Sequence, residues 1–340
     1  MARETAEIPA AAERLLARPG VFAAIVERIE QINPRIVVFC GRGSSGHVGV
    51  YLRYLFEVRL GLLASAAAPS VVTAYQRPPE LRDALFVVVS QSGRSPDLVN
   101  ATQVARQLGA LTLAIVNDEN SPAAATSELV LPIGAGTEDA VAATKTVVLS
   151  MIAGAQLVAA LARDDDLNDS LQHLPLRLSG ALACDWSAWA DRAAESPAAF
   201  VVGRGYGLGC VRETALKVAE ILRVPALGYS AAELRHGPRA SITPATPVLV
   251  LRQNDEAATA VDDLVRDLND AFRLGLVRHR ARELARVRPH DGEGAGARGE
   301  RRRVACVPRE AAHPVLGEAQ RPSVDASRAV QVLDREARTL

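Results

Sequence analysis

Residues 85–97 read LFVVVSQSGRSPD. Five apolar residues, Leu85 to Val89, run straight into Ser90, Gln91, Ser92 and Gly93, and then into Ser95, Pro96 and Asp97. An unbroken, β-branched apolar run of this length predicts a strand buried on both faces. Ser95 in an N-cap position with Pro96 behind it predicts the start of a helix. Strand, polar turn, helix is the unit of a parallel α/β sheet, where ligands bind outside the carboxyl ends of strands. A turn there offers backbone N–H groups at the positive end of a helix dipole, which suits an anion. Ser90, Ser92 and Ser95 add hydroxyl donors without charge, and Gln91 both donates and accepts. Gly93 lets the backbone turn tightly and come close to a ligand. Capping alone needs one hydroxyl; three in one loop favour phosphate.

The same unit recurs on either side. RIVVFC (35–40) predicts a buried strand, followed by the loop GRGSSG (41–46) and a helix over 47–61. Further strands are expected at 71–75 (VVTAY), 111–117 and 128–133, and helices at 95–109 and 139–163. Residues 10–32 read as a helix broken at Pro19-Gly20. GRGSSG and SQSGRS at neighbouring strand ends would together hold a compact anion such as a sugar phosphate. The loops do not match GxGxxG with an acidic residue about 20 positions on, so a dinucleotide is disfavoured. No GxxxxGK[ST] occurs, which disfavours a nucleoside triphosphate.

The pattern then restarts. FVVGRGYGLGCVRETALKVAE (200–220) echoes VFCGRGSSGHVGVYLRYLFE (38–57), with Gly203-Arg204-Gly205 lying 162 positions after Gly41-Arg42-Gly43. PVLVLRQND (247–255) parallels the opening strand, with LRQND in place of the hydroxyl loop. The fold class expected is α/β, with two tandem three-layer units on flavodoxin-like parallel sheets. The divisions are an N-terminal helical segment (1–34), a phosphate-binding unit (35–165), a second, truncated or diverged unit (183–270) and a tail (271–340). In the second unit Glu213, Lys217 and Glu220 share one helix face. A surface salt-bridge row is one reading; the apolar surroundings, LKVAEILRVPA, favour burial of at least one group. His236 precedes Gly237-Pro238 in a turn, where a structural role and an acid/base role are both open.

Composition bounds the function. Of 340 residues, 49% are hydrophobic and 23% charged, and the formal net charge is zero, so nothing global points to nucleic acid or a membrane. Cys40, Cys184, Cys210 and Cys306 are scattered, without CxxC or a His/Cys cluster, so neither disulfides nor a metal is expected. The N-terminus carries Glu4, Glu7 and Glu13 and lacks an apolar core for a signal peptide. No apolar run approaches the roughly 20 residues of a membrane span. A cytoplasmic location is expected.

Taken together, these segments resemble the sugar isomerase (SIS) domain family, and most specifically the isomerase half of glucosamine-6-phosphate synthase and the related amino-sugar-phosphate deaminases. SQSGRSPD is similar to the family's SQSG[ED][ST]xD loop, GRGSSG to its G[TR]GSS loop, and VAATK (141–145) to its VASTK segment. RETALKVAEILRVPALGYSAAELRHGP is similar to its LEGALKLKE…GELKHGP block. The resemblance implies that Ser45, Ser90, Gln91, Ser92 and Ser95 hold the phosphate. It implies that Val141, Ala143, Glu213 and Lys217 line the substrate site. Glu220 would shuttle a proton between C1 and C2 of the open-chain sugar, and His236 would open the ring. In the family that histidine comes from the neighbouring subunit, so a homodimer is implied. The activity implied is amino-sugar-phosphate isomerisation or deamination on glucosamine 6-phosphate or fructose 6-phosphate, with no cofactor. A non-catalytic sugar-phosphate-binding module and an inactive, frameshifted paralogue are the alternatives.

The departures are as informative. The family's C-terminal segment carries a lysine in an SKVT-like motif, whereas the lysines of this chain are Lys145 and Lys217 alone. Residues 271–340 hold 15 arginines and 9 acidic residues, a net of +6, which leaves −6 for the rest of a neutral chain. They lack Ile, Met, Trp and Tyr. A shifted reading frame near 271–275 accounts for this end, with divergence as the other account. An amidotransferase unit is not read in the segment before residue 35, so exchange with free ammonia is favoured over glutamine-dependent synthesis.

Overall fold

The computed structural model describes residues 1–18 and 20–272; residues 273–340 of the expected tail, and with them the reading-frame question, lie outside them. Helices α1 (Ala2–Ala6), α2 (Ile8–Leu16) and α3 (Gly20–Ile32) precede β1 (Ile36–Cys40). Then come α4 (Gly43–Leu60), β2 (Leu63–Ala66), α5 (Pro69–Thr73), β3 (Ala84–Ser90), α6 (Pro96–Gln107), β4 (Leu111–Val116), α7 (Pro122–Thr126), β5 (Leu129–Pro132) and α8 (Lys145–Ala162). Helices α9 (Asp165–Gln172), α10 (Leu174–Leu182) and α11 (Ser187–Ala194) lead to β6 (Ala199–Gly203), α12 (Leu208–Lys217), β7 (Ala226–Ser230), α13 (Ala231–Arg235), β8 (Val248–Val250) and α14 (Ala258–Phe272).

All strands pair in parallel, in the orders β2-β1-β3-β4-β5 and β7-β6-β8. The first order, 2-1-3-4-5, is that of flavodoxin-like sheets. The second repeats its first three places among the described residues. Side-chain alternation sends Val37, Phe39, Leu85, Val87 and Val89 to one face, against α2, α3, α4 and α8. Val38, Cys40, Phe86 and Val88 go to the other, with Leu98, Ala101 and Ala105 of α6. Phe200 and Val202 of β6 meet Leu234, Val261, Leu264 and Leu268. Val201, Leu249 and Leu251 join the same core as β1 and β3.

Three local expectations are corrected. VVTAY (71–75) is not a strand: Pro69 opens the short helix α5 there. The place beside β1 is filled by 63–66, which follows α4 directly and buries only Ala64. Residues 139–144 are not helical. The Glu138 carboxylate accepts Thr144 N at 3.0 Å, Thr146 N at 3.2 Å and both threonine hydroxyls, which fixes the start of α8 at Lys145. β7 was not expected, because ALGYS is half-exposed and lacks an apolar run. Helix α8 is long and apolar enough to cross a membrane, but it is mostly buried in the core of this fold.

The two sheets meet where α4 packs on α12. Gly209 makes that approach close: a Cβ there would lie 2.7 Å from His47 O and Tyr51 Cβ. Gly209→Ala should destabilise the protein by about 1–3 kcal/mol through overpacking against backbone, outweighing a helix-propensity gain of about 1 kcal/mol. Urea unfolding measures this, and a variant more stable than the parent would disprove the close contact.

Candidate active site

In a 2-1-3-4-5 sheet the chain reverses its winding between β1 and β3, and the crevice at their carboxyl ends is the natural ligand site. Both hydroxyl-rich loops open there, on adjacent paired strands. Arg42 of the first loop pairs with Asp97 of α6, joining the two. Ser90 is buried and its Oγ accepts Gly93 N at 3.1 Å; Ser92 Oγ accepts Arg94 N at 3.3 Å. Gly93 has φ +62, and a Cβ there would lie 2.1 Å from Ser121 Oγ, so the turn requires glycine. Ser95 occupies the N-cap of α6, yet its hydroxyl takes no bond from the helix. Pro96 has no N–H, and Leu98 N and Val99 N bond to Ser95 O instead. The expectation that Ser95 caps with its side chain is thus corrected: its backbone carbonyl, not its hydroxyl, takes the first bonds of the helix. Ser45 stands half-buried on the first turn of α4. The Cys40 thiol beneath that loop is pushed up to about 12 by burial and the Asp97 carboxylate, against the opposing pull of Arg42, and stays protonated.

Segment 134–144 borders this crevice. Gln91 Nε2 reaches Glu138 O at 3.5 Å, and Asn117 N donates to Gln91 O at 3.3 Å. Val141 is fully exposed and Ala143 half-buried. Lys145, the lysine of VAATK, is buried and paired with Glu7 at 2.6 Å.

The second group of residues comes from α12 and the turn after it. Lys217, 1% exposed, lies 3.1 Å from Glu213 Oε1, 2.7 Å from Glu220 Oε2 and 3.0 Å from Ser44 Oγ. Glu213 Oε2 meets His47 Nδ1 at 2.8 Å, a contact between residues 166 apart. Of the two readings left open, burial is the outcome for Glu213 and Lys217, whereas Glu220 stays exposed. Glu220 sits on a single π-helical turn, Val218–Leu222, closed by Arg223 at φ +56. Such turns inside helices cluster at functional sites. Burial pushes Glu213 up. The hydrogen bond from His47, the charges of Lys217 and His47, and the Ser44 hydroxyl outweigh it, and the carboxyl titrates below its usual value.

His236 caps the end of α13, whose start is a full capping box of Ser230 and Glu233. The histidine is exposed, and its ring makes no hydrogen bond or ion pair with the described residues. The structure therefore joins Glu213, Lys217 and Glu220, while among the described residues His236 makes no hydrogen bond or ion pair with them. Sequence reasoning missed Ser44 and His47. The only signal was the paired GRG turns, which align α4 with α12. Among the described residues no group of three or more His, Cys, Asp or Glu is placed to hold a metal.

The SIS domain profile matches residues 31–160 and 194–270. This chain belongs to the SIS domain family. A glutamine–fructose-6-phosphate aminotransferase (isomerizing) of Symbiobacterium thermophilum is 32% identical over 286 residues, 80% of this chain and 46% of the relative. The SIS chain thus spans about half the length of that relative. A crystal structure of a proposed phosphosugar isomerase from Silicibacter pomeroyi DSS-3 superposes with a TM-score of 0.81 at 32% identity, covering 99% of this chain and 96% of that one. The C-terminal domain of glucosamine-fructose-6-phosphate aminotransferase from Francisella tularensis shares the fold, with a TM-score of 0.71 at 23% identity over 78% of this chain and 79% of that one. The SIS family here is that of sugar-phosphate isomerases and the isomerase halves of aminotransferases.

Lys217→Met should destabilise this SIS protein by about 3–5 kcal/mol, because Glu213 stays buried without its ammonium. Glu213 titrates lower when folded, so its stabilisation is full above the unfolded carboxylate value of about 4.3 and is lost as pH falls through the folded value. Glu213→Gln should flatten the acid side of the stability profile. Urea unfolding across a pH series reads both effects, and an unchanged acid slope would contradict the buried cluster.

Proposed function

We propose that this protein interconverts glucosamine 6-phosphate and fructose 6-phosphate with exchange of ammonia, acting as a homodimer without a cofactor. The observation that carries the reading is Glu220, held by buried Lys217, which also reaches Ser44 of the first hydroxyl loop at the β1/β3 crevice. The loops supply neutral donors for a phosphate: Ser45, Ser90, Gln91, Ser92 and Ser95. Glu220 removes the proton from C2 of the open-chain amino sugar and returns it to C1. The enolamine becomes a 2-imine, water adds to that carbon, and ammonia leaves to give the ketose. Lys217 Nζ, 2.7 Å from Oε2, holds the Glu220 carboxylate in position. Ring opening falls to His236. Its exposure, without a hydrogen bond or ion pair of its ring among the described residues, fits delivery into a second subunit's site, and Val141 and Ala143 flank the sugar.

Both lysines are buried and bound to carboxylates. Neither is poised to capture a carbonyl as an imine, which favours direct proton transfer over Schiff-base chemistry. The same observation supports a second reading, a module that binds sugar phosphate without turnover.

Ammonia release from glucosamine 6-phosphate tests the two. Glu220→Gln should lower the rate by about 10²–10⁴ while calorimetric affinity stays near that of the parent. Ser92→Ala with Ser95→Ala should weaken binding by about 1.5–3 kcal/mol for each lost charge-assisted bond. Tight binding without release by the parent chain would select the binding module, and equal affinity of the double variant would refute the phosphate site.

A further inference from the structure

Glu4 is 2% exposed, although it is the fourth residue of a polar N-terminal segment. Its Oε1 accepts Asp139 N at 2.7 Å and Ala140 N at 3.4 Å, and its Oε2 is 3.2 Å from the Met1 amino group. One turn later Glu7 Oε2 binds Lys145 Nζ at 2.6 Å, and Lys145 is 2% exposed. These bonds fall on both sides of Val141, which projects fully into solvent. The front of the same loop is pinned by Asn117, whose Nδ2 donates to Gly136 O and whose Oδ1 accepts Ala135 N, each at 2.8 Å. Asn117 and Glu138 are the residues that also touch Gln91 of the phosphate loop.

Burying a carboxylate and an ammonium is costly unless each is closely bonded. Here both are spent on segment 138–145, which has no regular structure of its own before Lys145 and packs little apolar surface. The core does not need these contacts; the position of the loop does. We infer that the first seven residues form a carboxylate clasp, with Glu4 and Glu7 as positioning residues that fix the 134–144 loop over the sugar site. The clasp lowers the entropy lost when a sugar phosphate orders that loop, and so raises affinity by pre-organisation. The inference rests on the proposed site in one respect, that Val141 and Ala143 face the sugar.

The test uses the full chain and glucosamine 6-phosphate. Glu4→Gln should speed amide exchange in peptides covering 134–146 by about 10- to 100-fold, the loss of a bond to a charged acceptor, with β1 and β3 unchanged. Affinity should fall about tenfold, and KM should rise with kcat largely kept. Glu7→Leu combined with Lys145→Met removes the second bond without stranding a charge and serves as the independent variant if Glu4→Gln folds poorly. Unchanged loop exchange in both variants overturns the clasp. Faster exchange with unchanged affinity and KM also overturns it, because the loop would then be held for no purpose at the sugar. Failure of the proposed site is seen separately, as absence of sugar-phosphate binding by the unaltered chain, and it would remove the inference with it.

Discussion

One ammonium group, Lys217 Nζ, organises the site. An almost fully buried charge must be surrounded by partners, and its partners come from both halves of the chain. Glu213 and Glu220 are its neighbours on the same helical stretch, and Ser44 reaches it from the first loop. Because Glu213 also binds His47, the buried cluster links α12 to α4. That linkage is open only because Gly209 lets the two helices touch backbone to side chain. Remove the close approach and the charge has no complete shell; remove the charge and Glu220 has nothing to aim it.

The division of labour follows from the two sheets. The first presents neutral hydroxyls and backbone groups at its switch point, a surface suited to an anion that must bind and leave. The second contributes titratable groups, carried on a helix that ends in a π turn. The wider turn departs from the α-helical spacing just where Glu220 must point outward, while Lys217, three residues earlier, points inward. The exposed carboxylate and the buried ammonium are thus set by one local change in helix geometry.

The parts legible in the sequence were those with local causes. β1, β3 and β4 are buried apolar runs, and the loops after β1 and β3 announce themselves by hydroxyls and glycine within a few positions. The edge strands β2 and β7 gave no such signal: LASA buries a single alanine, and ALGYS is half-exposed throughout. The start of α8 was misplaced because its first amides are taken by the Glu138 carboxylate and the amides before it by Glu4, 135 residues away. The row Glu213-Lys217-Glu220 was visible as a helix face, but whether it was buried depended on α4. His47 carried no sign of its role, since its partner lies far off in the chain.

The shared core has a further consequence. Side chains of β6 and β8, Val201, Leu249 and Leu251, pack in the same apolar cluster as Val37 and Leu85. The two sheets are therefore not beads on a string. Neither can open without exposing apolar surface of the other, and loss of order should spread across both in a single cooperative transition. A proteolytic nick between them would leave two fragments that each need the other as a chaperone, and the intact chain gains resistance to partial unfolding at the seam between the sheets.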